Sequence, residues 1–401
     1  MKKRILFVIP TLRLGGAEKA LSSLLNCMDS DKYDLNLLLF AKEGELLDTI
    51  PDCINVIEVD KKTRAMILEG RYYFKDLIKG FYIGAMFTRL LIYASTKLKP
   101  LKKLVGEFSW KRISKHIAPI EGHYDVAIGF LEGYTDFFVI DKVNADRKIG
   151  WIHSDMSKRG VSEEEQYYAA FDALATISKV CLDAFCEKFP SASDKIRVVE
   201  NIVSSAVVRS SASRSVSDVW RREAFNIVSV GRLYAEKGYD MAIDACRLLK
   251  DRGYDVVWHV YGSGALKGEL ERKIAKLGLK DAFLLEGVRE NPYPYMSAAD
   301  VLVQSSRYEG KSIVLDETKI LGKPIVVTNY PSVADQITDG VTGIVVAMDA
   351  KSIADGVERI INDPILAAKL GENCLKCENT SIRALEEVYS MIEHHARRIA
   401  E

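Results

Sequence analysis

Two glutamates stand in the segment RYEGKSIVLDE, residues 307–317, with seven residues between Glu309 and Glu317. The apolar run ADVLVQSS before it predicts a strand, and Ser312 is placed to cap a following helix. Glu309 would then lie just beyond the strand, and Glu317 about one and a half turns into the helix. Carboxylates accept hydrogen bonds from paired hydroxyls, so this spacing predicts a grip on two sets of hydroxyls. Surface acids favoured by the dipole of a helix start are the alternative.

Two cations lie between a predicted strand and a predicted helix in SVGRLYAEKGYD. Arg232 and Lys237 are next to Gly231 and Gly238. A diphosphate is well matched by a guanidinium fork, an ammonium and backbone N–H groups at a helix start. A solvent-exposed basic loop is the alternative. The next predicted strand is followed by YGSGAL, where Gly262 would let a ligand approach the backbone.

The N-terminal half has a weaker anion signal of the same kind. TLRLGGAEKA leads from the first predicted strand through Gly15 and Gly16 into a helix, so backbone N–H groups at the helix start could face an anion. The spacing is not GxGxxG, and no acidic residue ends the second strand, which counts against a dinucleotide. A plain tight turn is the alternative.

The elements that position these residues alternate between short apolar β-branched runs and helical periodicity. This alternation predicts an α/β fold of doubly wound parallel sheets, whose ligands bind outside the carboxyl ends of the strands. A length of 401 residues suits two domains. A Ser-rich stretch separates the two series of strands. The predicted parts are an N-terminal domain 1–203, a linker 204–222, a C-terminal domain 223–380, and a final helix 381–401 that closes the second domain or crosses back to the first.

Composition excludes several classes of protein. The 56 Lys and Arg residues balance the 56 Asp and Glu residues, so no global field points to a nucleic acid partner. The seven cysteines are scattered through apolar periodic segments, which favours a reducing cytosol. No segment reaches the roughly 18 apolar residues of a membrane-spanning helix. The Asp-x-Asp of Asp29 and Asp31 falls between a helix and a strand and predicts a turn, not a metal site.

Residues 61–115 interrupt the alternation of strands and helices. They contain fourteen basic residues and three acidic ones, interleaved with aromatic residues. A basic, aromatic and amphipathic helical region favours contact with an anionic membrane surface or an anionic acceptor. A helical hairpin packed on its own domain, with a solvated basic face, is the alternative.

Several motifs together resemble those of the retaining glycosyltransferases of the GT-B fold, specifically family 4. They are GRLYAEKG, the glycine loop, the E-x7-E pair and GKPIVVTNYPSVADQITDGVTGIVV. The resemblance covers essentially the whole chain, because TLRLGGAEK and IRVVENIV also match segments of that family. It implies two Rossmann-like domains that face a cleft and close over the donor. It also implies transfer with retention of the anomeric configuration.

The resemblance implies a role for individual residues. Arg232 and Lys237 would bind the donor diphosphate. Glu317 would bind the ribose hydroxyls and Glu309 the transferred sugar. His153, in GWIHSD at the end of a predicted strand, matches a histidine near the donor sugar; taken alone, a packed strand-end histidine is the simpler interpretation.

Other donor contacts are implied in the same way. The N–H groups of Gly16 would face the diphosphate or the acceptor, and Val288 and Arg289 lie where the family contacts the base. One departure concerns the residues after the EG of the motif, where the family commonly has Phe and then Gly or Pro. Here Lys311 and Ser312 follow, so an extra cation would reach a phosphate or an acidic sugar. The remaining predicted donor-binding residues are Gly15, Gly262 and Ile313.

The sequence thus predicts a cytoplasmic hexosyltransferase, peripheral at the inner face of the membrane. It would use a UDP sugar, with a GDP sugar as the alternative. The acceptor would be a glycan or lipid-linked saccharide in cell-surface polysaccharide or capsule synthesis. No cofactor or metal is expected, because Arg232, Lys237 and helix N-termini would meet the charge on the leaving phosphate. Two other interpretations are a nucleotide-sugar epimerase of the same architecture and a catalytically silent partner that binds a nucleotide sugar.

Overall fold

The computed structural model divides into two compact units. Unit 1 comprises Met1–Ile202 with Ser381–Glu401, and unit 2 comprises Val203–Thr380. Each unit is built on one parallel sheet, so the α/β prediction of two doubly wound domains is confirmed. The structure describes residues 2–13, 15–68, 71–97, 109–158, 164–213, 220, 223–377 and 380–393.

The sheet of unit 1 has seven strands. Its first strand runs through the middle of the sheet, and its residues Ile5–Ile9 have no exposed surface because helices cover both faces. The strands are β1 (Lys3–Ile9), β2 (Tyr33–Leu39), β3 (Asn55–Glu58), β4 (Tyr124–Gly129), β5 (Ala145–Ile152), β6 (Ala173–Thr176) and β7 (Ile196–Val198). Their order across the sheet is β3-β2-β1-β4-β5-β6-β7.

Helices of unit 1 connect these strands. They are α1 (Gly16–Cys27), α2 (Lys61–Ile67), α3 (Arg71–Lys79), α4 (Ile83–Lys97), α5 (Trp110–Ile113), α6 (Tyr134–Lys142), α7 (Glu165–Ala169) and α8 (Lys179–Lys188). Short 3₁₀ helices cover Leu47–Thr49, Ser114–His116, Met156–Lys158 and Pro190–Ala192.

The sheet of unit 2 has six strands. Its strand VVWHVY is buried at every position, as a strand with helices on both faces must be. The strands are β8 (Phe225–Val230), β9 (Val256–Tyr261), β10 (Phe283–Gly287), β11 (Val301–Gln304), β12 (Ile325–Thr328) and β13 (Ile344–Val346). Their order is β10-β9-β8-β11-β12-β13.

Helices of unit 2 follow in chain order, and one further helix returns to unit 1. They are α9 (Ser205–Ala212), α10 (Tyr239–Asp251), α11 (Lys267–Lys276), α12 (Tyr293–Ala298), α13 (Ile313–Ile320), α14 (Ala350–Asn362), α15 (Pro364–Lys376) and, on unit 1, α16 (Thr380–Glu393). Short 3₁₀ helices cover Ala235–Lys237 and Val333–Asp335.

The predicted linker 204–222 is not irregular where the structure describes it, because Ser205–Ala212 form α9 of unit 2. The Ser204 side chain accepts a hydrogen bond from the Val207 N–H and so caps α9. Val208 is buried, and Asn291 Nδ2 donates to the Ser211 carbonyl at 2.9 Å. The serines that suggested a linker are thus a helix cap and the outer positions of a packed helix. Residues 214–219 and 221–222 of the predicted linker lie outside the described residues.

Helix α16 packs on unit 1, the second of the two arrangements that the sequence left open. Glu393 accepts hydrogen bonds from Lys3 Nζ at 2.6 Å and from Tyr33 OH at 2.8 Å. The ring of Tyr389 stacks on Tyr33 with a centroid distance of 5.5 Å. Arg147 Nε donates to the Met391 carbonyl at 2.8 Å. Helix α16 therefore completes the first domain.

The segment 61–115 is mostly helical where the structure describes it. Helices α2 to α5 pack into the core of unit 1 through Met66, Leu77, Ala85 and Trp110. Residues 69–70 and 98–108 of this segment lie outside the described residues. None of the helices in the described ranges combines the length and apolarity that a bilayer-spanning helix requires.

The contact of Glu393 predicts a pH-dependent contribution to stability. The hydrogen bond from Lys3 lowers the pKa of Glu393 to about 2, below the roughly 4.3 of an unfolded chain. Its stabilisation is therefore present above about pH 4.3 and is lost as the pH falls towards about 2. Because the Glu393 side chain is 36% exposed, solvent screening limits it to about 1 kcal/mol. We expect Glu393→Gln to lower the free energy of unfolding by about that amount at pH 7, measured by denaturant titration.

The same titration at pH 3 should show a smaller difference between Glu393→Gln and the unsubstituted chain. The exposed Glu372 provides a matched control, and Glu372→Gln should leave stability unchanged at both pH values. An equal loss for Glu393→Gln at both pH values would contradict this assignment.

Candidate functional site

Three neighbouring strands of unit 2 have a glycine at or directly after their carboxyl ends, namely Gly231, Gly262 and Gly287. The Gly231 N–H donates to the Tyr261 carbonyl at 3.0 Å, and the Gly262 N–H donates to the Gly287 carbonyl at 2.8 Å. A Cβ at Gly262 would overlap the carbonyl oxygen of Gly231, so only glycine fits there. The carboxyl ends of β8, β9 and β10 therefore present glycine backbone, and the side chains of Lys237 and Tyr239 lie next to Gly231.

The chain changes direction across the sheet between β8 and β11. Strands β9 and β10 lie on one side of β8, whereas β11, β12 and β13 lie on the other. Ligands of open α/β sheets bind in the crevice outside the carboxyl ends of strands at such a switch point. Lys237 follows β8 and Glu309 follows β11, so the two predicted residues come from the two sides of this point.

Lys237 and Glu309 form an ion pair there. Lys237 Nζ lies 2.6 Å from Glu309 Oε1, and the side chains are 19% and 12% exposed. Oε1 also accepts from Ser306 Oγ at 2.6 Å and from Gln304 Nε2 at 3.3 Å. In the described part of the chain all three donors reach Oε1, which leaves Oε2 to accept from a ligand.

Gln304 links this carboxylate to the interior of unit 2. Its Nε2 also donates to Tyr330 OH at 3.1 Å, and its Oε1 accepts from Ser312 Oγ at 2.7 Å. Burial and the nearby Glu309 charge raise the pKa of Tyr330, which keeps the phenol neutral. The sequence analysis missed Gln304 and Ser306, although a polar residue at the end of the apolar strand VLVQ was an available signal.

Ser312 occupies the N-cap position of α13 but does not cap it with its side chain. The Ser312 N–H donates to Gln336 Oε1 at 2.7 Å, and Gln336 Nε2 donates to the Ser312 carbonyl at 2.8 Å. The hydroxyl cap predicted for Ser312 is therefore wrong, because a glutamine amide satisfies that backbone. The Ser312 N–H is therefore bonded within the protein and is not open to a phosphate. Ile313, next in the chain, is buried.

Glu317 is the more deeply buried of the two carboxylates. It is 1% exposed, and its Oε1 accepts from Tyr293 OH at 2.8 Å. Burial and the charge of Glu317 raise the pKa of Tyr293, so the phenol remains a donor to the carboxylate. Sequence reasoning missed Tyr293, which α12 brings next to α13.

The other predicted residues of unit 2 are more exposed. The Arg232 side chain is 64% exposed, with its guanidinium 5.2 Å from the ring centroid of Tyr234. Val288 is 42% exposed. Arg289 NH2 lies 3.8 Å from Glu286 Oε2, and its side chain is 44% exposed. Lys311 is half-buried in the loop before α13. Of the two predicted phosphate-binding cations, Lys237 alone is paired with Glu309.

The glycines of unit 1 stand where α1 begins. Gly15 is the N-cap residue and Gly16 the first residue of the helix. A Cβ at Gly15 would overlap the carboxylate of Glu18, which lies in the first turn. This carboxylate already lies at the helix end predicted to face an anion, so an anion bound there would have to displace it. A Cβ at Gly16 would meet nothing nearby.

His153 lies just after β5 and is held through its backbone. Its N–H donates to Glu132 Oε2 at 2.9 Å, and Ser154 Oγ donates to Glu132 Oε1 at 2.6 Å. Burial lowers the pKa of His153 to about 4, although the charge of Glu132 opposes this shift. The imidazole is therefore neutral at pH 7, and its buried Nε2 makes no hydrogen bond with any described residue. Sequence reasoning missed Glu132, which follows the strand YDVAIG.

A second buried carboxyl lies beside this group. Asp136 has no exposed surface, and its carboxyl lies against Gly129, where a Cβ would overlap it. Burial, and then the charge of Glu132, raises the pKa of Asp136 well above its ordinary value. Burial thus favours the neutral form of this acid.

The described residues contain no cluster of three or more His, Cys, Asp or Glu side chains that could hold a metal ion. The Asp-x-Asp segment forms the predicted turn. Asp29 Oδ1 accepts from the N–H groups of Asp31 at 2.9 Å and of Lys32 at 3.2 Å.

Comparison with known proteins finds the same fold and a family. The structure of Anabaena HepE in complex with UDP and glucose superposes with a TM-score of 0.70 at 16% identity, covering 98% of this chain and all of that one. Residues 216–376 match the family model of "Glycosyl transferases group 1". Alpha-D-kanosaminyltransferase of Streptomyces kanamyceticus is 36% identical over 150 residues, which are 37% of this chain and only 39% of that protein.

A longer alignment covers most of the chain. The N-acetylgalactosamine-N,N'-diacetylbacillosaminyl-diphospho-undecaprenol 4-alpha-N-acetylgalactosaminyltransferase of Campylobacter jejuni is 26% identical over 369 residues, covering 90% of this chain and 91% of that protein. The two parallel-sheet units and their neighbours define a protein of the GT-B fold. Residues 216–376 match the glycosyltransferases of group 1, as the motifs in that part of the chain indicated. Its assignment to family 4 and the retention of configuration stay predictions.

The contacts of Glu309 predict a role for Ser306 that sequence reasoning did not give. Ser306→Ala removes a short hydrogen bond to Glu309 Oε1 and frees the carboxylate to rotate. A hydrogen bond to a charged group is worth about 1.5–3 kcal/mol, so we expect turnover of the nucleotide sugar to fall about tenfold or more.

Ser229 is the matched control, since it is also buried and donates to a backbone carbonyl, that of Val303. Ser229→Ala should lower the melting temperature without a comparable loss of turnover. Full turnover in Ser306→Ala would show that the hydroxyl does not orient Glu309.

Proposed function

We propose that the chain transfers a hexosyl unit from a nucleoside diphosphate sugar to a glycan or lipid-linked saccharide in cell-surface polysaccharide or capsule synthesis. The observation that carries the proposal is the Lys237–Glu309 pair at the switch point of the second sheet. It places an ammonium and a carboxylate oxygen beside the glycines at the carboxyl ends of β8, β9 and β10. A diphosphate sugar offers phosphates to the first and hydroxyls to the second.

Each side chain then has a chemical task. Lys237 donates one of its three N–H groups to Glu309, and the other two can donate to the diphosphate. Arg232 adds a second cation, and together they meet the charge that develops on the leaving phosphate. Glu309 Oε2 accepts from a hydroxyl of the transferred sugar, while Glu317 receives the ribose.

Retention of configuration follows if the leaving phosphate accepts the acceptor's proton on the same face of the sugar. The bond between the anomeric carbon and the phosphate oxygen breaks, and the bond between the anomeric carbon and the acceptor oxygen forms on the same face of the sugar. Glu309 is suited to orienting hydroxyls, because its Oε1 is already bonded to Lys237, Ser306 and Gln304. We propose that no metal is required, since the protein's own cations supply the positive charge.

Other residues keep roles that are predicted only from the family resemblance. In unit 2 they are Val288, Arg289, Lys311, Ser312 and Ile313, and in unit 1 they are Gly15, Gly16 and His153.

Relatives support the choice of donor and acceptor. The HepE structure contains UDP and glucose, which favours a UDP sugar here, with a GDP sugar as the alternative. The name of the Campylobacter relative describes a diphospho-undecaprenol acceptor. We infer from it a lipid-linked acceptor, and therefore work in the cytoplasm at the inner face of the membrane.

A first test of the proposal is nucleotide binding. In a thermal-shift assay without added metal, we expect UDP or GDP to raise the melting temperature. A ligand at 100 times its dissociation constant stabilises the fold by about 2.7 kcal/mol, which such an assay detects readily. NAD and CMP serve as controls. Stabilisation by NAD alone, or by none of these ligands, would reject the nucleotide site.

A second test separates turnover from binding. Lys237→Ala should reduce turnover by about 10²-fold, because it removes an electrostatic donor to the leaving group. Glu317→Ala should chiefly weaken donor binding. Lys250, an exposed lysine paired with Asp255, is the matched control, and Lys250→Ala should leave turnover unchanged.

Release of the nucleoside diphosphate is the measured quantity. In a transferase the release depends on the acceptor, which distinguishes it from an epimerase or a silent binding protein. Unchanged release of the nucleoside diphosphate by both Lys237→Ala and Glu317→Ala would contradict the roles assigned to these two residues.

A further inference from the structure

The α3–α4 hairpin of unit 1 carries a concentrated apolar surface. Seven of the fourteen large apolar side chains that are exposed in the described residues lie within residues 78–93. Scattered single apolar side chains need no explanation, but a cluster of this kind marks a contact site. We call it the hairpin surface, and its members are Ile78, Phe81, Tyr82, Ile83, Phe87, Leu90 and Tyr93.

Part of the hairpin surface is the outer face of the amphipathic helix α4. Ile83, Phe87 and Leu90 follow one another at intervals of four and three residues, so they form one stripe along α4. Ala85, on a different face, is 2% exposed and belongs to the core of unit 1. The helix therefore has one side anchored in the domain, while its outer side bears large apolar groups that are 52–77% exposed.

The turn between α3 and α4 exposes the aromatic ring of Phe81 to solvent. Phe81 is 85% exposed and has a φ of 53°, the one non-glycine residue with positive φ in the described chain. A phenylalanine in this region of φ is uncommon and costs about 1 kcal/mol or more. The fold accepts this cost at a position where the ring makes little contact with its own domain.

Positive charge surrounds the hairpin surface. Lys75 and Lys79 are exposed on α3, and Lys62 Nζ lies 5.4 Å from the ring centroid of Tyr82. The one acidic residue of segment 71–97 is Asp76, and it is paired with Arg64 at 2.7 Å. The exposed charges of this hairpin are thus cationic.

We propose that the hairpin surface docks on an anionic lipid bilayer, with Phe81, Phe87 and Leu90 inserted among the acyl chains near the headgroups. Apolar side chains flanked by lysines match a surface that is apolar inside and negative outside. A second copy of the chain fits less well, because symmetric pairing of this surface would place Lys75 and Lys79 in both faces of one interface. The inference extends the proposed function by naming the surface that brings the enzyme to its acceptor.

Vesicle flotation with the purified full chain tests the proposal without donor or acceptor. The vesicles are phosphatidylcholine alone or an equal mixture with phosphatidylglycerol. We expect binding to the mixture and little to phosphatidylcholine. The double variant Phe81→Ser with Phe87→Ser should reduce the partition coefficient about tenfold or more, because each inserted ring contributes transfer free energy.

The matched control for the apolar change is Ile365, which is 82% exposed on α15 of unit 2. Ile365→Ser should bind the vesicles like the unsubstituted chain. All these positions are exposed, so melting temperatures should stay close to that of the unsubstituted chain and exclude misfolding as the cause of lost binding.

The lysines are tested separately. Lys75→Gln with Lys79→Gln should weaken binding about fivefold for each lysine, since a basic residue near an anionic surface is worth about 1 kcal/mol. Raising the salt concentration should weaken binding further. The exposed lysines Lys276 and Lys369 are controls, and their replacement by Gln should have no effect.

Three results would overturn the proposal. They are absence of vesicle binding, equal binding by the double phenylalanine variant, and concentration-dependent dimerisation that the same variant abolishes without any vesicle binding. The thermal shift by nucleoside diphosphate should persist in the double phenylalanine variant. Failure of the lipid test alone would therefore leave the proposed nucleotide site intact, whereas failure of the thermal shift would not affect the lipid result.

Discussion

The ion pair between Lys237 and Glu309 is the constraint on which the carboxyl edge of the second sheet depends. Two charges that are mostly removed from water are tolerable only when their remaining hydrogen-bonding capacity is satisfied. Ser306 and Gln304 supply that satisfaction on Glu309 Oε1, and Gln304 is in turn held by Ser312. The consequence is a carboxylate with one oxygen fixed by the protein and the other available to substrate. Under the proposed function, this preorganisation would position the transferred sugar without reorganisation of the protein.

Unit 1 uses a related device in a different place. Glu132 is buried and fixes the backbone after β5 by accepting from the His153 N–H and from Ser154 Oγ. The low pKa of His153 leaves its imidazole neutral, so it can offer a polar edge without bringing a charge. In both units a buried side chain after one strand supports a functional candidate, and the support comes from a residue that sequence reasoning had not selected.

The α3–α4 hairpin of unit 1 has residues in two environments. Its inner residues, such as Leu77 and Ala85, complete the core of unit 1. Its outer residues, such as Phe81 and Phe87, are exposed. Apolar composition alone does not separate these roles, because both faces contain large apolar residues. Burial separates them, and burial depends on which face of the helix meets the sheet.

The sequence by itself determined the two parallel sheets, since buried strands must be apolar throughout and crossover helices must be periodic. It also predicted Lys237 and Glu309 in strand-to-helix loops, where such sheets bind ligands, and the structure brings the two side chains together. Tertiary structure alone decided that α9 is packed and not a linker, and that Gln336 rather than the Ser312 hydroxyl completes the cap of α13. It also decided which oxygen of Glu309 is open. Those outcomes depend on contacts between residues distant in sequence, whose partners no local pattern of hydrophobicity or spacing specifies.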